Sequence, residues 1–333
     1  MATIGNTVTT LADIAKRLDP DGKTADIVEL LSQYNEMLDD MHWIEGNLPT
    51  GTRTTVRTGL PTVSYRKINE GTTPSKSTTA QVDDQAAILE GWSEVDCDLA
   101  NLNGNTFSYR LSEAASFLES MAQTAANTTV YGNGGTAPEQ FTGLSVRYNS
   151  LSDANAQQIV AAGGSGSDNS SIWLCAWGAQ TVHGIFPKGS IAGLQHEDKG
   201  MVTVQDSTGI GTGRLDVYQD KFQWKLGLAV KDQRYVSRGA NVDISDLTGI
   251  SSAADISNVM AYMSYRLPNL TLGKPCYYMN RTTLQMLDIL NKNDVTSGGG
   301  LTFQNVDGER VTHFRGMPVR ISDRLTEAEA QVS

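Results

Sequence analysis

Apolar positions recur at three- and four-residue steps through Phe107, Leu111, Ala114, Ala115, Leu118, Met121, Ala122 and Ala125, a spacing that predicts an amphipathic helix. Asn105 or Thr106 is the expected cap, and the "YGNGG" cluster ends the pattern, giving about 25 residues and close to ~40 Å. From about residue 150 the pattern shortens to β-branched and aromatic runs between glycine-rich turns. "SIWLCAW", "MVTVQ", "RLDVYQDKFQWKLGLAVKDQRYVSR", "KPCYYMN" and "RVTHFRGMPVRIS" read as strands. Two helical patterns interrupt them, "ADISNVMAYMSYRL", capped by Ser252 or Asp255, and "RTTLQMLDILNKN". Strands with inserted helices and no regular βαβ alternation predict an α+β fold. "AAGGSGSDNSS" and "TSGGG" read as flexible loops within it.

The first hundred residues are different in texture. Ile27, Leu30, Leu31 and Tyr34 fall near helical spacing, after an Asp19-Pro20-Asp21-Gly22 turn that lacks the remaining ligands of a calcium loop. Residues 1–46 therefore read as an extended arm with helical pieces. Next comes "GTRTTVRTGLPTVSYRKINEGTTPSKSTTAQ", residues 51–81, with nine threonines and only scattered apolar positions such as Val56, Val63 and Ile68. Its β-branched runs from Thr52 to Thr58 and from Thr62 to Ile68, separated by Gly59-Leu60-Pro61, predict a hairpin with almost nothing to bury. An isolated two-stranded hairpin is marginal in water. The stretch is either a loose loop or finds its partners on another molecule. "ILEGWSEVDCDLA" then reads as a strand leading toward the long helix.

Charge sharpens that choice. The chain of 333 residues has a net charge of −11, while residues 51–81 hold Arg53, Arg57, Arg66, Lys67 and Lys76 against Glu70 alone, a net of +4 that leaves −15 elsewhere. An acidic body argues against tight duplex binding, which needs clustered bases on phosphates. A basic arm on an acidic body suits contact with a second copy of the chain. At 39 % hydrophobic and 19 % charged residues the chain is a folded protein of one large domain or two ordinary ones. "MATIGNTVTTLADIAKR" is too polar for a secretory leader, and no run is long and apolar enough to span a membrane. Cys97, Cys175 and Cys276 are far apart and form no CxxC pair, so free thiols in a reducing cytosol are expected.

No catalytic constellation has the spacing its chemistry needs. His42, His183, His196 and His313 sit in unrelated contexts without a GxSxG elbow, and "QHED" lacks HExxH spacing. "GIGTGR" lacks the spacing of a dinucleotide loop, and no Walker motif occurs. Trp173, Trp177 and Trp224 fall in apolar strands and read as core. No catalytic residue, metal ligand or cofactor is assigned, and the chain does not read as an enzyme.

The order of arm, basic hairpin, long helix and mixed body resembles the Hong Kong 97-type major capsid proteins of tailed bacteriophages. "ELLSQYNEMLDDMHWIEGNLPTGTRTTVRTGLP" looks like the arm and extended-loop segment of a podophage-like branch, and "YGN" with "EQFTGL", "WGAQTVHGIFPKGS" and "FRGMPVRISDRL" look like the same branch. The resemblance implies an N-terminal arm over 1–46, an extended loop over 47–82, and a peripheral domain over 83–150. A spine helix at about 106–130 lies in that domain, which strands within 214–245 complete, and an axial domain takes mainly 151–213 and 246–333. It further implies a virion protein, assembled in the bacterial cytoplasm from copies of itself in pentamers and hexamers, with portal, scaffold and decoration proteins as partners. The shell would enclose double-stranded DNA without sequence-specific binding and without a membrane. Arg53, Arg57, Arg66 and Lys67 are the expected intersubunit contacts, made with carboxylates of a neighbour. Lys67 and Lys76, solvated among threonines, are not expected to crosslink, so noncovalent contacts would hold the shell. The competing readings are an encapsulin-like compartment and a cytosolic enzyme with an unusual surface loop. A cell-surface adhesin lacks the export signal.

Overall fold

A computed structural model describes residues 33, 35–101, 106–205, 213–245, 256–293, 301–306 and 309–333. The helical pieces expected before residue 33, the caps Asn105, Ser252 and Asp255, most of "GIGTGR" and "TSGGG" lie outside the described residues. The strands are β1 Trp43–Glu45, β2 Gly51–Gly59, β3 Thr78–Asp96, β4 Ile159–Ala161, β5 Asn169–Trp177, β6 Val182–Phe186 and β7 Leu194–Gln205. They continue with β8 Arg214–Val230, β9 Val236–Asp243, β10 Lys274–Met279, β11 Leu301–Val306, β12 Glu309–Phe314 and β13 Met317–Ile321. The helices are α1 Met37–Asp40, α2 Cys97–Ala100, α3 Thr106–Tyr131, α4 Leu144–Arg147, α5 Ile256–Arg266 and α6 Arg281–Asn293. The chain divides into two compact units, one taking Ile88–Ala125 and Gly193–Lys225, the other Tyr34–Ala87, Ala126–Ala192 and Leu226–Ser333.

In the first unit β8 lies between β3 and β7, and the early turns of α3 cover one face of these strands. The apolar spacing that predicts α3 supplies the contact. Tyr109 packs on Val95 and Ala100, and Phe117 stacks on Phe222 with ring centroids 5.8 Å apart. Gly91 leaves room for Phe117, since a Cβ there would lie 3.1 Å from the ring.

The second unit is organised on β5, whose nine residues are all buried. It pairs antiparallel with β9 on one side and β10 on the other, and β13 continues the sheet parallel to β10. A strand covered on both faces must be apolar without alternation. That is why "SIWLCAW" is continuous. Helix α5 covers this region with Val259, Met260 and Met263, and Gly239 gives it space, because a Cβ there would meet Met263 Sδ at 2.9 Å. Further upstream, α1 buries Met37, and β1 adds parallel to β6, where a Cβ on Gly184 would lie 2.6 Å from the Trp43 ring. Residues 322–333 close the unit. Leu325 and Val332 are buried, and the Asn241 side chain brackets the Val332 backbone, donating to its carbonyl at 2.9 Å and accepting from its N–H at 2.8 Å. Asn241 sits at φ 58°, a left-handed conformation that asparagine tolerates better than most residues.

One buried titratable group predicts a pH response. His183 on β6 is 1 % exposed, and burial, with Lys231 and His42 nearby, lowers its pKa from 6.5 to about 4. A base with a depressed folded pKa binds its proton more readily in the unfolded chain. Its contribution is therefore complete above about 6.5 and is lost as pH falls toward about 4. Between pH 7 and pH 4.5 the loss is about 2.5 kcal/mol. Urea unfolding of the wild type and of His183→Met at both pH values is expected to give a pH dependence smaller by that amount in the variant. Equal dependences would remove His183 as the cause.

Candidate intersubunit surface

The stretch 51–81 does not fold as the hairpin its β-branched runs predict. Strand β2 runs over the first of them, but its partner is the start of β3, with Arg53 opposite Asp83, Thr55 opposite Gln81 and Arg57 opposite Thr79. The run from Thr62 to Ile68 is not a strand. Pro61 and Pro74 bring no N–H to a ladder, and Asn69 at φ 68° breaks extended backbone. The turn expected at Gly59-Leu60-Pro61 is instead the start of a loop spanning 60–77, in which every residue is exposed.

That loop is held by few bonds. Ser75 Oγ donates to the Thr62 carbonyl at 2.7 Å, Arg66 Nε donates to the Glu70 carbonyl at 3.0 Å, and the Thr58 and Thr78 hydroxyls meet at its base at 3.1 Å. Its large apolar side chains are almost uncovered. Leu60 is 80 % exposed, Val63 88 %, Ile68 91 %, and Tyr65 as open as in an extended peptide. Water contact at four such side chains on one loop is unfavourable by roughly 1.5–3 kcal/mol each relative to burial. Four large exposed apolar side chains within nine residues make this loop a candidate contact surface.

The four bases singled out in the sequence divide between the strand and the loop. Arg53 grips Asp83 of its own chain with two bonds, Nε to Oδ1 at 2.6 Å and Nη2 to Oδ2 at 2.7 Å. This hydrogen bond holds the Asp83 carboxyl below its ordinary pKa and the guanidinium above its own. Arg57 is exposed on the same strand face. Arg66 and Lys67 are in the loop, Lys67 lying 3.9 Å from Glu70 with both side chains largely open to solvent. Sequence reasoning missed Asp83, because its partnership with Arg53 depends on the β2–β3 register, and it missed the loop apolars as a group by counting Val63 and Ile68 as meagre core.

The other charged constellation, in the first unit, is a structural tie. Arg110 of α3 donates to Asp220 from Nε at 3.1 Å and from Nη2 at 2.8 Å, and lies 2.7 Å from Asp198. His196 of "QHED" reaches Asp220 at 2.8 Å and stacks on Phe222 at 4.8 Å. The group fastens β7 and β8 to α3, and Arg110 holds the Asp198 carboxyl below its usual pKa. Among the described residues no three His, Cys, Asp or Glu side chains gather as a metal-binding set, and no helix is long and apolar enough to cross a membrane.

A family model for the major capsid protein GP7 matches residues 19–333. The chain belongs to the GP7 family of major capsid proteins. A chain in the solved structure of bacteriophage Epsilon15 is 32 % identical to it, with a TM-score of 0.77 and coverage of 100 % of this chain and 99 % of that one. The bacteriophage JBD30 capsid shares the fold at 9 % identity and a TM-score of 0.50, over 95 % of this chain and 99 % of that one. An encapsulin complex from Synechococcus elongatus is less similar, at 11 % identity and a TM-score of 0.41 over 70 % of this chain and 96 % of that one. No curated protein sequence matches. The α+β architecture is thus the Hong Kong 97-type capsid fold, and this major capsid protein is a component of a phage particle.

Proposed function

We propose that this capsid protein assembles from pentamers and hexamers into the icosahedral shell around the double-stranded DNA of a tailed bacteriophage. Assembly takes place in the host cytoplasm, alongside portal, scaffold and decoration proteins. The observation that carries the assembly reading is the loop over 60–77, wholly exposed and rich in uncovered apolar side chains. A loop of this kind gains its burial on a neighbouring copy. In this reading 83–150, completed by strands within 214–245, forms the peripheral domain and mainly 151–213 and 246–333 the axial domain; the grouping of Ile88–Ala125 with Gly193–Lys225 in one compact unit supports the first in part.

Arg57, Arg66 and Lys67 supply the charge complement to acidic surface on that neighbour. Arg53, engaged by Asp83, braces the base of the loop and contributes across the interface only through the pair as a unit. A rim ion pair is worth about 0.2–1 kcal/mol. A closed shell repeats each contact at every subunit, so small losses accumulate. Replacing Arg57, Arg66 and Lys67 together with glutamate is expected to leave the thermal midpoint of the isolated subunit unchanged while abolishing shells in electron micrographs of the assembly reaction. Normal shells from the variant would overturn the charge assignment.

A further inference from the structure

Two of the three cysteines are brought together by the sheet of the second unit. Cys175 on β5 and Cys276 on β10 are directly opposite one another in the antiparallel register, between the pairs Ala176–Pro275 and Leu174–Tyr277. Directly opposed residues project to the same face of a sheet. Directly opposed residues of an antiparallel pair have Cα atoms about 4.5–5.5 Å apart, inside the range a disulfide spans. Both residues are buried, at 0 % and 3 % exposure, and both thiols are free.

We propose that Cys175 and Cys276 form a redox-dependent cross-strand disulfide within the subunit, made by a small-molecule disulfide of the glutathione class. The thiolate of one cysteine attacks a sulfur of the small disulfide and expels one thiolate. The second cysteine then attacks the protein sulfur of that mixed disulfide, and the other half leaves. Two protein thiols lose two electrons, the small disulfide gains them, and the two protons end on the two small thiols. The bond would close a loop from β5 to β10 that contains the excursion of the chain through Gly193–Lys225. It would tie together two neighbouring strands, one before that excursion in sequence and one after it.

Burial sets when the reaction runs. A thiol in apolar surroundings resists ionisation, and burial pushes both of these well above the ordinary thiol pKa. The Asp40 carboxylate, 3.5 Å from Cys276 Sγ, acts in the same direction. The finished sheet is therefore slow to oxidise, and once closed the bond is shielded from reductants. Oxidation belongs to the interval when β10 has yet to seat or transiently opens. Cys97, on α2 of the first unit, provides an internal control, since it is buried and lies opposite no cysteine.

The test is to refold the full-length subunit from urea in a buffer of oxidised and reduced glutathione, alkylate the remaining thiols and map the peptides by mass spectrometry. The expected result is a peptide pair joining Cys175 to Cys276, alkylated Cys97, and a thermal midpoint several degrees above that of the reduced protein. Cys175→Ser and Cys276→Ser should each abolish the upward shift, and Cys97→Ser should keep it. Alkylation of Cys175 and Cys276 after oxidative refolding, or a dominant bond involving Cys97, would overturn the proposal.

Discussion

Glu329→Ala is expected to destabilise the second unit by about 3–5 kcal/mol, the cost of stranding one partner of a buried ion pair. Arg238 and Glu329 are both buried, with Nη2 and Oε2 2.8 Å apart. The guanidinium also donates from Nε to Ser171 Oγ at 3.0 Å and from Nη1 to the Tyr148 carbonyl at 2.7 Å, and its central carbon lies 5.1 Å from the centroid of the Trp173 ring. Glu329 also accepts from Ser171 Oγ and, at 2.6 Å, from the Tyr131 hydroxyl. Removing the carboxylate leaves a buried cation uncompensated and a buried hydroxyl without that acceptor. The check is urea unfolding of the isolated subunit. Arg238→Met combined with Glu329→Leu should recover much of the loss, because an apolar pair of similar volume removes both charges together. A loss below about 1 kcal/mol for Glu329→Ala would show that water reaches the site and satisfies Arg238.

Deleting 60–77 and joining Gly59 to Thr78 through an Asn-Gly turn is expected to abolish shell formation while leaving subunit stability within about 0.5 kcal/mol. The deletion removes only exposed residues, and surface changes away from buried features are usually of this size. The β2–β3 ladder below remains, with Arg53 still on Asp83. Two-residue turns of this type match the twist of paired strands. Unfolding curves that superpose, together with light scattering that stays at the size of unassembled subunits, would be the expected pair of observations. Shells of normal size from the shortened chain would show that the loop is solvated decoration. A large fall in stability would instead place these residues in the core of their own subunit.

What the sequence revealed and what it concealed divide on the distance between interacting residues. Helix α3 was legible because its apolar stripe repeats every three or four positions, and β5 because a strand buried on both faces needs an unbroken apolar run. The loop was legible as an anomaly of composition, five bases and nine threonines in an acidic chain, but its internal geometry was misread. The run from Thr62 to Ile68 has strand propensity, yet propensity without a face to bury is a weak guide. The true partner of β2 begins at Thr78, beyond two prolines and the left-handed Asn69. The opposition of Cys175 to Cys276, and of Arg238 to Glu329, arises from register and topology across long separations, and neither residue type announces its partner.

The 91 positions between Arg238 and Glu329 also have a consequence in time. At roughly 5–20 residues per second of synthesis, β9 waits about 5 to 18 s on the ribosome before the carboxylate that neutralises its arginine exists. During that interval β5 and β9 cannot close around Arg238 without burying a lone charge, so the central sheet is kept from early completion. A chain ending before Glu329 would carry the same uncompensated buried cation as Glu329→Ala, and the same loss of stability is expected of it.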